Sequence, residues 1–165
     1  MRFFFYGTLL DPALRGALCP AATGWSIRPA ELAEYRRGRR ADLSYPFLLP
    51  SPGARTAGVV AGGVAVDAAA VLTLYEGEGY RCVLLRPATD DGPVDAWTFL
   101  PRRHEAADHP WSLARWQREH RARTIDEIRR WRRSLAPATI AAAAALWRRR
   151  AALSPRVPPT PPPAG

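Results

Sequence analysis

The first ten residues constrain the fold more than any other stretch of this chain. Three consecutive phenylalanines, Phe3 to Phe5, form an apolar run with the length of a buried strand. Gly7 and Thr8 then interrupt the run, and glycine permits backbone angles that other residues resist. We predict a core strand ending in a sharp turn, where backbone N–H groups of residues 7–9 can converge on an anionic group. From these residues alone, an ordinary loop after a hydrophobic strand is the simpler interpretation.

A second stretch, residues 72–83, favours a functional role for the first turn over an ordinary loop. It places a carboxylate, Glu76, after an apolar segment and before two glycines and a further strand. Four motifs then follow one another along the chain: Tyr6-Gly7-Thr8-Leu9, Tyr45-Pro46, Gly62-Gly63-Val64, and Tyr75-Glu76-Gly77 with Tyr80-Arg81. In this order and spacing they resemble the γ-glutamylcyclotransferase-like family, in particular its AIG2-like and γ-glutamylamine cyclotransferase branch. The resemblance covers roughly residues 2–101.

Length and composition limit the class of protein. A chain of 165 residues fits one domain with a real core, and it contains no uncharged apolar run of 18 residues that would predict a membrane span. The sequence enters a strand pattern at once, without the basic and apolar regions of a signal peptide. Cys19 and Cys82 are too few for a disulfide framework. We therefore expect a cytoplasmic protein without membrane contact.

The positive charge is concentrated in one part of the chain. Residues 102–150 carry thirteen arginines against five acids, which accounts for nearly all of the net charge of +9. A basic face of this kind is compatible with nucleic-acid or anionic-membrane contact. It is equally typical of amphipathic helices whose charged side faces water, and we favour that interpretation. Nucleic acid is then at most a nonspecific partner.

The pattern along residues 1–101 predicts an α+β fold, a small mixed β-barrel of five to six strands with short helices. Asp11 and Pro12 begin a short helix, and Asp67 is expected to cap another, at residues 68–74, that delivers Glu76. Residues 44–50 are bracketed by prolines and predict an edge strand or an extended loop. Residues 80–87 and 94–100 predict two further strands, joined by a turn.

Residues 102–153 predict an arginine-rich helical extension packed on the barrel. Ser112 caps a first helix whose apolar stripe includes Trp116, and Pro137 is expected to end it. A second helix follows at residues 139–153. The segment 154–165 is half proline and predicts a disordered tail.

The family resemblance implies the chemistry. In γ-glutamyl cyclotransfer the substrate's own α-amine attacks its γ-amide carbonyl, which closes 5-oxoproline and expels a free amine, with no cofactor. The resemblance assigns the general acid-base role to Glu76. It assigns substrate binding to residues of the first turn and to two further tyrosines: Tyr6, Gly7, Thr8, Leu9, Tyr45 and Tyr80. Such a carboxylate needs a raised pKa in a water-poor pocket.

Some features leave alternatives open. Many relatives have Leu-Asp where this chain has Leu72-Thr73, so the orientation of Glu76 is in question, and Glu78 is a second candidate. Plain core packing is the simpler role for Tyr45. Loose metal-ligand spacing occurs at His104, Glu105, His109 and His120, but the H-E-x-x-H register is missing, so these histidines are expected to be solvated and no metal is predicted. The second functional hypothesis is a non-catalytic member of the fold whose arginine-rich helices bind nucleic acid or an acidic partner.

Overall fold

A computed structural model describes residues 1–103 and 107–153. The strands are β1 (Phe3–Phe5), β2 (Ser26–Gly38), β3 (Phe47–Gly62), β4 (Tyr80–Leu85), β5 (Ala88–Thr89), β6 (Gly92–Pro93) and β7 (Ala96–Pro101). The helices are α1 (Pro12–Leu18), α2 (Val66–Glu76), α3 (Leu113–Glu119), α4 (Arg121–Ser134) and α5 (Pro137–Leu153). Single 3₁₀ turns lie at Thr8–Leu10 and Pro20–Gly24. The seven strands form one curled, half-barrel sheet in the order β4-β7-β1-β3-β2-β5-β6. The predicted mixed α+β class is confirmed.

The short strand β1 occupies the middle of this sheet. It pairs antiparallel with β3 and parallel with β7, and its three phenylalanines are at most 2% exposed. Side chains alternate between the two faces of a strand. Phe3 and Phe5 accordingly pack in the core that contains α2 and α5, while Phe4 packs in a second cluster on the other face. A strand buried on both faces must be apolar at every position, which accounts for the Phe-Phe-Phe run.

The strands β2 and β3 form a long antiparallel hairpin. Its register shifts between Ala33 and Tyr35, where Glu34 adopts a φ of 66° and accepts a hydrogen bond from the Gly53 N–H at 3.0 Å. This bulge bends the hairpin and contributes to the curl of the sheet. The apolar segment after Pro46, predicted as an edge strand or extended loop, is the beginning of β3 and pairs with β2.

Two local predictions differ from the structure in the sheet and in α2. The sheet has seven strands rather than five or six, because the predicted turn after β4 contains the two-residue strands β5 and β6. Helix α2 begins at Val66 with Ala65 as its N-cap, so Asp67 is not the cap. Asp67 lies instead in the first turn, where a negative charge favours the helix dipole.

The C-terminal helices differ from the predicted pair. The first predicted helix is divided at His120 into α3 and α4, and Pro137 begins α5. Proline is well suited to the first helical position because the N–H that it lacks would have no partner within the helix. The predicted cap at Ser112 is present, since its hydroxyl accepts from the Arg115 N–H at 3.4 Å. No helix in residues 1–103 and 107–153 has both the length and the apolarity needed to cross a bilayer. The predicted disordered tail at 154–165 lies outside the described residues.

A buried carboxylate joins α1 to the C-terminal helices. Asp11 is fully buried, and its Oδ1 accepts from the Leu14 N–H at 2.9 Å, which confirms the predicted helix cap. Its Oδ2 accepts from Gln117 Nε2 at 2.8 Å and forms an ion pair with Arg121 Nε at 3.1 Å. Because Asp11 directly follows the Thr8–Leu10 turn, α3 and α4 are docked next to that turn.

A second polar contact joins α2 to α5. Trp147 is buried against Phe3 and Trp97, and its Nε1 donates to Thr73 Oγ1 at 2.9 Å. The Thr73 hydroxyl donates in turn to the Ala69 carbonyl at 2.9 Å. Thr73 therefore anchors the helix that ends at Glu76.

This anchor can be tested by a double-mutant cycle at Thr73 and Trp147. Thr73→Val leaves the buried Trp147 N–H without its acceptor, and we expect it to lower the free energy of unfolding by about 1–3 kcal/mol. In a Trp147→Phe background, which has no indole N–H, the same substitution should cost much less. Urea unfolding of the four proteins measures both effects. Equal costs in the two backgrounds would contradict the role of the hydrogen bond.

Candidate active site

A cavity of about 270 Å³ opens where the end of β1, the end of α2 and the start of β3 meet. All seven residues that the family resemblance assigned to the site line this cavity: Tyr6, Gly7, Thr8, Leu9, Tyr45, Glu76 and Tyr80. Residues 6–9 and residue 76 are far apart in the chain. They meet because β1 and α2 pack in the same core cluster.

The Thr8–Leu10 turn forms one wall of the cavity. Its first hydrogen bond runs from the Leu10 N–H to the Gly7 carbonyl at 2.9 Å, and the next from the Asp11 N–H to the Thr8 carbonyl at 3.0 Å. The N–H groups of Thr8 and Leu9 precede those bonds and therefore have no acceptor within the turn. Pro46 lies against Gly7 so closely that a Cβ there would be 2.9 Å from Pro46 Cγ. Glycine is thus required by close approach rather than by a positive φ.

Glu76 is the last residue of α2. Gly77 ends the helix with a φ of 70°, a conformation that glycine adopts at no steric cost. The Glu76 side chain lines the cavity and is only partly exposed, and its burial raises the pKa of the carboxyl to about 8. Within residues 1–103 and 107–153, no ion pair involves Glu76. Glu78, the competing candidate, is exposed and does not line the cavity.

Four tyrosines line the cavity together with Glu76: Tyr6, Tyr45, Tyr75 and Tyr80. Burial raises the pKa of Tyr6 well above its ordinary value, and the charges of Tyr80 and Glu76 raise it further. Burial also raises the pKa of Tyr75, with a smaller contribution from Glu76 that the Thr8 hydroxyl opposes. Tyr6 and Tyr75 therefore stay neutral and act as hydrogen-bonding hydroxyls rather than as bases.

The hydroxyl of Tyr6 has a structural partner. It donates to the Phe99 carbonyl on β7 at 2.8 Å, so it holds the end of β1 against the neighbouring strand. The ring of Tyr80 stacks on Phe47, with 6.2 Å between centroids, and Tyr45 contacts the same Phe47 ring edge-on. Tyr45 is 41% exposed and forms the rim of the cavity, so it is not a core residue.

Sequence reasoning missed two cavity residues on the C-terminal helices. Trp116 of α3 and Thr124 of α4 both line the cavity. The helical stripe identified Trp116 as a core residue, and it is indeed buried, but the sequence did not indicate which cavity it borders. No local signal marks Thr124, whose position depends on the docking of α4.

The cavity therefore combines one carboxyl of raised pKa with neutral hydroxyls and two backbone N–H groups. This arrangement is suited to proton transfer at neutral pH and to binding an anionic group. No group of His, Cys, Asp and Glu side chains suited to holding a metal ion occurs in the part of the chain that the structure describes. Two of the residues considered for such a site, His104 and Glu105, lie outside that part.

Sequence comparison identifies the family. The model of the gamma-glutamyl cyclotransferase, AIG2-like family matches residues 3–118, more than two thirds of the chain. The chain belongs to this family. Among proteins of curated function, none matches. The match ends within α3, so α4 and α5 lie beyond it.

Solved structures share the fold at low sequence identity. A protein from Arabidopsis thaliana, solved in solution, has a TM-score of 0.60 and 24% identity over 76% of this chain and 86% of that one. A structure named gamma-glutamyl cyclotransferase has a TM-score of 0.55 and 14% identity over 83% and 88%. An uncharacterised human protein has a TM-score of 0.53 and 15% identity over 82% and 88%. These likenesses show the fold alone.

The raised pKa of Glu76 can be tested directly. A carbon-13 NMR titration of the glutamate carboxyls should show one signal that titrates near pH 8 and that disappears in Glu76→Gln. Because the folded pKa of about 8 lies above the ordinary 4.5, the protonated form stabilises the fold. The unfolding free energy of the wild type relative to Glu76→Gln should therefore fall as the pH rises from about 4.5 to about 8. A Glu76 signal that titrates near pH 4.5 would contradict this description of the pocket.

Proposed function

We propose that this protein is a γ-glutamyl cyclotransferase that releases 5-oxoproline and a free amine from a γ-glutamyl amine or peptide. The observation that carries the proposal is the position of Glu76. Its carboxyl has a raised pKa and borders the same small cavity as the Thr8–Leu10 turn. The family match supports a cyclotransferase in general, and the geometry of the cavity supports the proposed roles of individual residues.

In the first step the substrate's α-amine attacks its own γ-amide carbonyl. The backbone N–H groups of Thr8 and Leu9, with the loop at Gly7, hold the α-carboxylate and so fold the γ-glutamyl chain toward ring closure. Such positioning contributes at most about 7–11 kcal/mol to lowering the barrier. The α-ammonium first releases one proton to solvent, and ionised Glu76 then accepts a second proton from the attacking nitrogen as the N–C bond of the five-membered ring forms.

In the second step the γ-amide C–N bond breaks. Protonated Glu76 returns the same proton to the departing nitrogen, which leaves as a neutral amine. The free amine takes up a proton from solvent, which replaces the one that the α-ammonium released, so atoms and charges balance without hydrolysis, a redox change or a cofactor. A carboxyl with a pKa near 8 can do both transfers because its two protonation states are close in free energy at neutral pH.

The alternative, a non-catalytic member of the fold that binds nucleic acid or an acidic partner, has less support. Arg115 and Arg123 form ion pairs with Glu119 and Glu127 on their own helices, at 3.0 and 2.7 Å. Such pairs reduce the positive field available to phosphates. DNA binding that disappears above about 200 mM salt would indicate nonspecific attraction only.

We also propose that the enzyme acts in the cytoplasm. Cys19 and Cys82 are both free thiols and both buried. Two unpaired cysteines are consistent with a reducing compartment.

The assignment of the catalytic carboxyl is tested by replacing the two glutamates in turn. Glu76→Gln removes the proton acceptor but keeps the shape of the side chain, and we expect 5-oxoproline release to fall by at least about 100-fold. Glu78→Gln is the matched control at an exposed position and should retain most of the activity. Release of 5-oxoproline from γ-glutamyl compounds, measured by chromatography, shows which of the two glutamates is the catalytic one. Loss of activity in Glu78→Gln alone would refute the assignment.

A further inference from the structure

A second and larger cavity adjoins the pocket. It has a volume of about 540 Å³, twice that of the pocket, and it runs between the loop at residues 39–44 and helices α3 and α4. Ser44, Trp116 and Thr124 line both cavities. We call the larger one the helix groove. The pocket and the helix groove thus share one border.

The walls of the helix groove are held in place by internal contacts. Arg39 donates to three carbonyls of its own loop, those of Arg40, Ala41 and Leu43, at 3.0, 3.0 and 3.2 Å. Trp111 Nε1 donates to the Ser44 carbonyl at 2.9 Å. The groove therefore exists before a ligand arrives, which lowers the entropic cost of binding one.

The walls of the helix groove carry both positive and negative side chains. Glu119 pairs with Arg115 at 3.0 Å and lies 3.7 Å from His120, while Arg123 pairs with Glu127 at 2.7 Å. An alkyl chain in the groove would remove water from these groups without replacing its hydrogen bonds, which is unfavourable. A peptide supplies amide donors and acceptors and so fits such walls.

We propose that the helix groove is the subsite for the leaving amine, and that the preferred substrates are γ-glutamyl peptides whose leaving group has at least two residues. This inference rests on the proposed function, because it needs the γ-glutamyl group to lie in the pocket beside Glu76. The part of the substrate beyond the scissile amide then crosses the border at Trp116 and Thr124. Helix α4, which lies beyond the family match, would select the substrate.

Three synthetic substrates test the proposal: γ-glutamyl ethylamide, γ-glutamyl hexylamide and γ-glutamyl-alanyl-alanine. We expect kcat/KM for the peptide to exceed that of both alkyl amides by at least about tenfold. Ala41→Trp places a large ring in the groove at an exposed loop position and should abolish this ratio. Ala142→Trp is the matched control, since Ala142 is exposed on α5 and lines neither cavity. It should keep the ratio.

A second variant tests the proposal in case Ala41→Trp does not fold. Glu119 is exposed, so Glu119→Gln should fold, and it should shift kcat/KM toward leaving peptides that carry a carboxylate and away from those that carry an ammonium. Equal kcat/KM for peptide and ethylamide, a preference for hexylamide, or an unchanged ratio in Ala41→Trp would overturn the proposal, as would no shift in Glu119→Gln.

Binding measurements distinguish a failure of this inference from a failure of the proposed function. Calorimetry with the Glu76→Gln protein measures Kd for the peptide and the ethylamide without turnover. If no compound yields 5-oxoproline but the peptide still binds at least about tenfold more tightly, only the proposed reaction fails. If the two Kd values are equal, the groove is not a subsite.

Discussion

The pairing of β1 with two neighbours is the constraint on which the rest of the structure depends. Its three phenylalanines are at most 2% exposed and pack on both faces of the sheet, so a shift of β1 by one residue would move a phenylalanine out of the core or bring Arg2 into it. Gly58 of β3 reinforces this position, because a Cβ there would lie 2.4 Å from the Phe5 carbonyl oxygen. The turn after β1 is thereby fixed in space, and the pocket forms at the point where that turn meets the end of α2.

The C-terminal helices are part of this arrangement rather than a separate appendage. Asp11 connects the turn to α3 and α4, and the hydrogen bond from Trp147 to Thr73 connects α2 to α5. The turn and α2, which both border the pocket, are therefore held by helices that begin near or beyond the end of the family match. Part of the positive charge in this region has a structural use as well, since the Arg150 guanidinium lies 4.4 Å from the Trp97 ring centroid.

Local sequence signals were sufficient for some elements. The apolar run of β1, the cap at Asp11 and the cap at Ser112 each depend on a few neighbouring residues, and each is present. The site residues in the first turn and at Glu76 were predicted by resemblance to family motifs, and the structure brings them to one cavity. Sequence reasoning was wrong about the cap of α2, because Asp67 is a good cap by composition whereas the helix already begins at Val66.

Other features depend on contacts between distant segments, which no local pattern encodes. The role of Thr73 requires Trp147, 74 residues away, and the position of Thr124 at the pocket requires the docking of α4 through Asp11. The short strands β5 and β6 pair with each other, and β5 also pairs with β2, so both form by pairing rather than by their own propensity.

The central claim is that one sheltered carboxylate faces a backbone turn that holds the substrate's α-carboxylate. An amide NMR titration with 5-oxoproline tests it most directly, because the product carries that carboxylate. We expect the largest shifts at the N–H groups of Gly7, Thr8 and Leu9, together with a change in the Glu76 carboxyl signal. Shifts confined to another surface, with residues 7–9 unaffected at saturation, would contradict it.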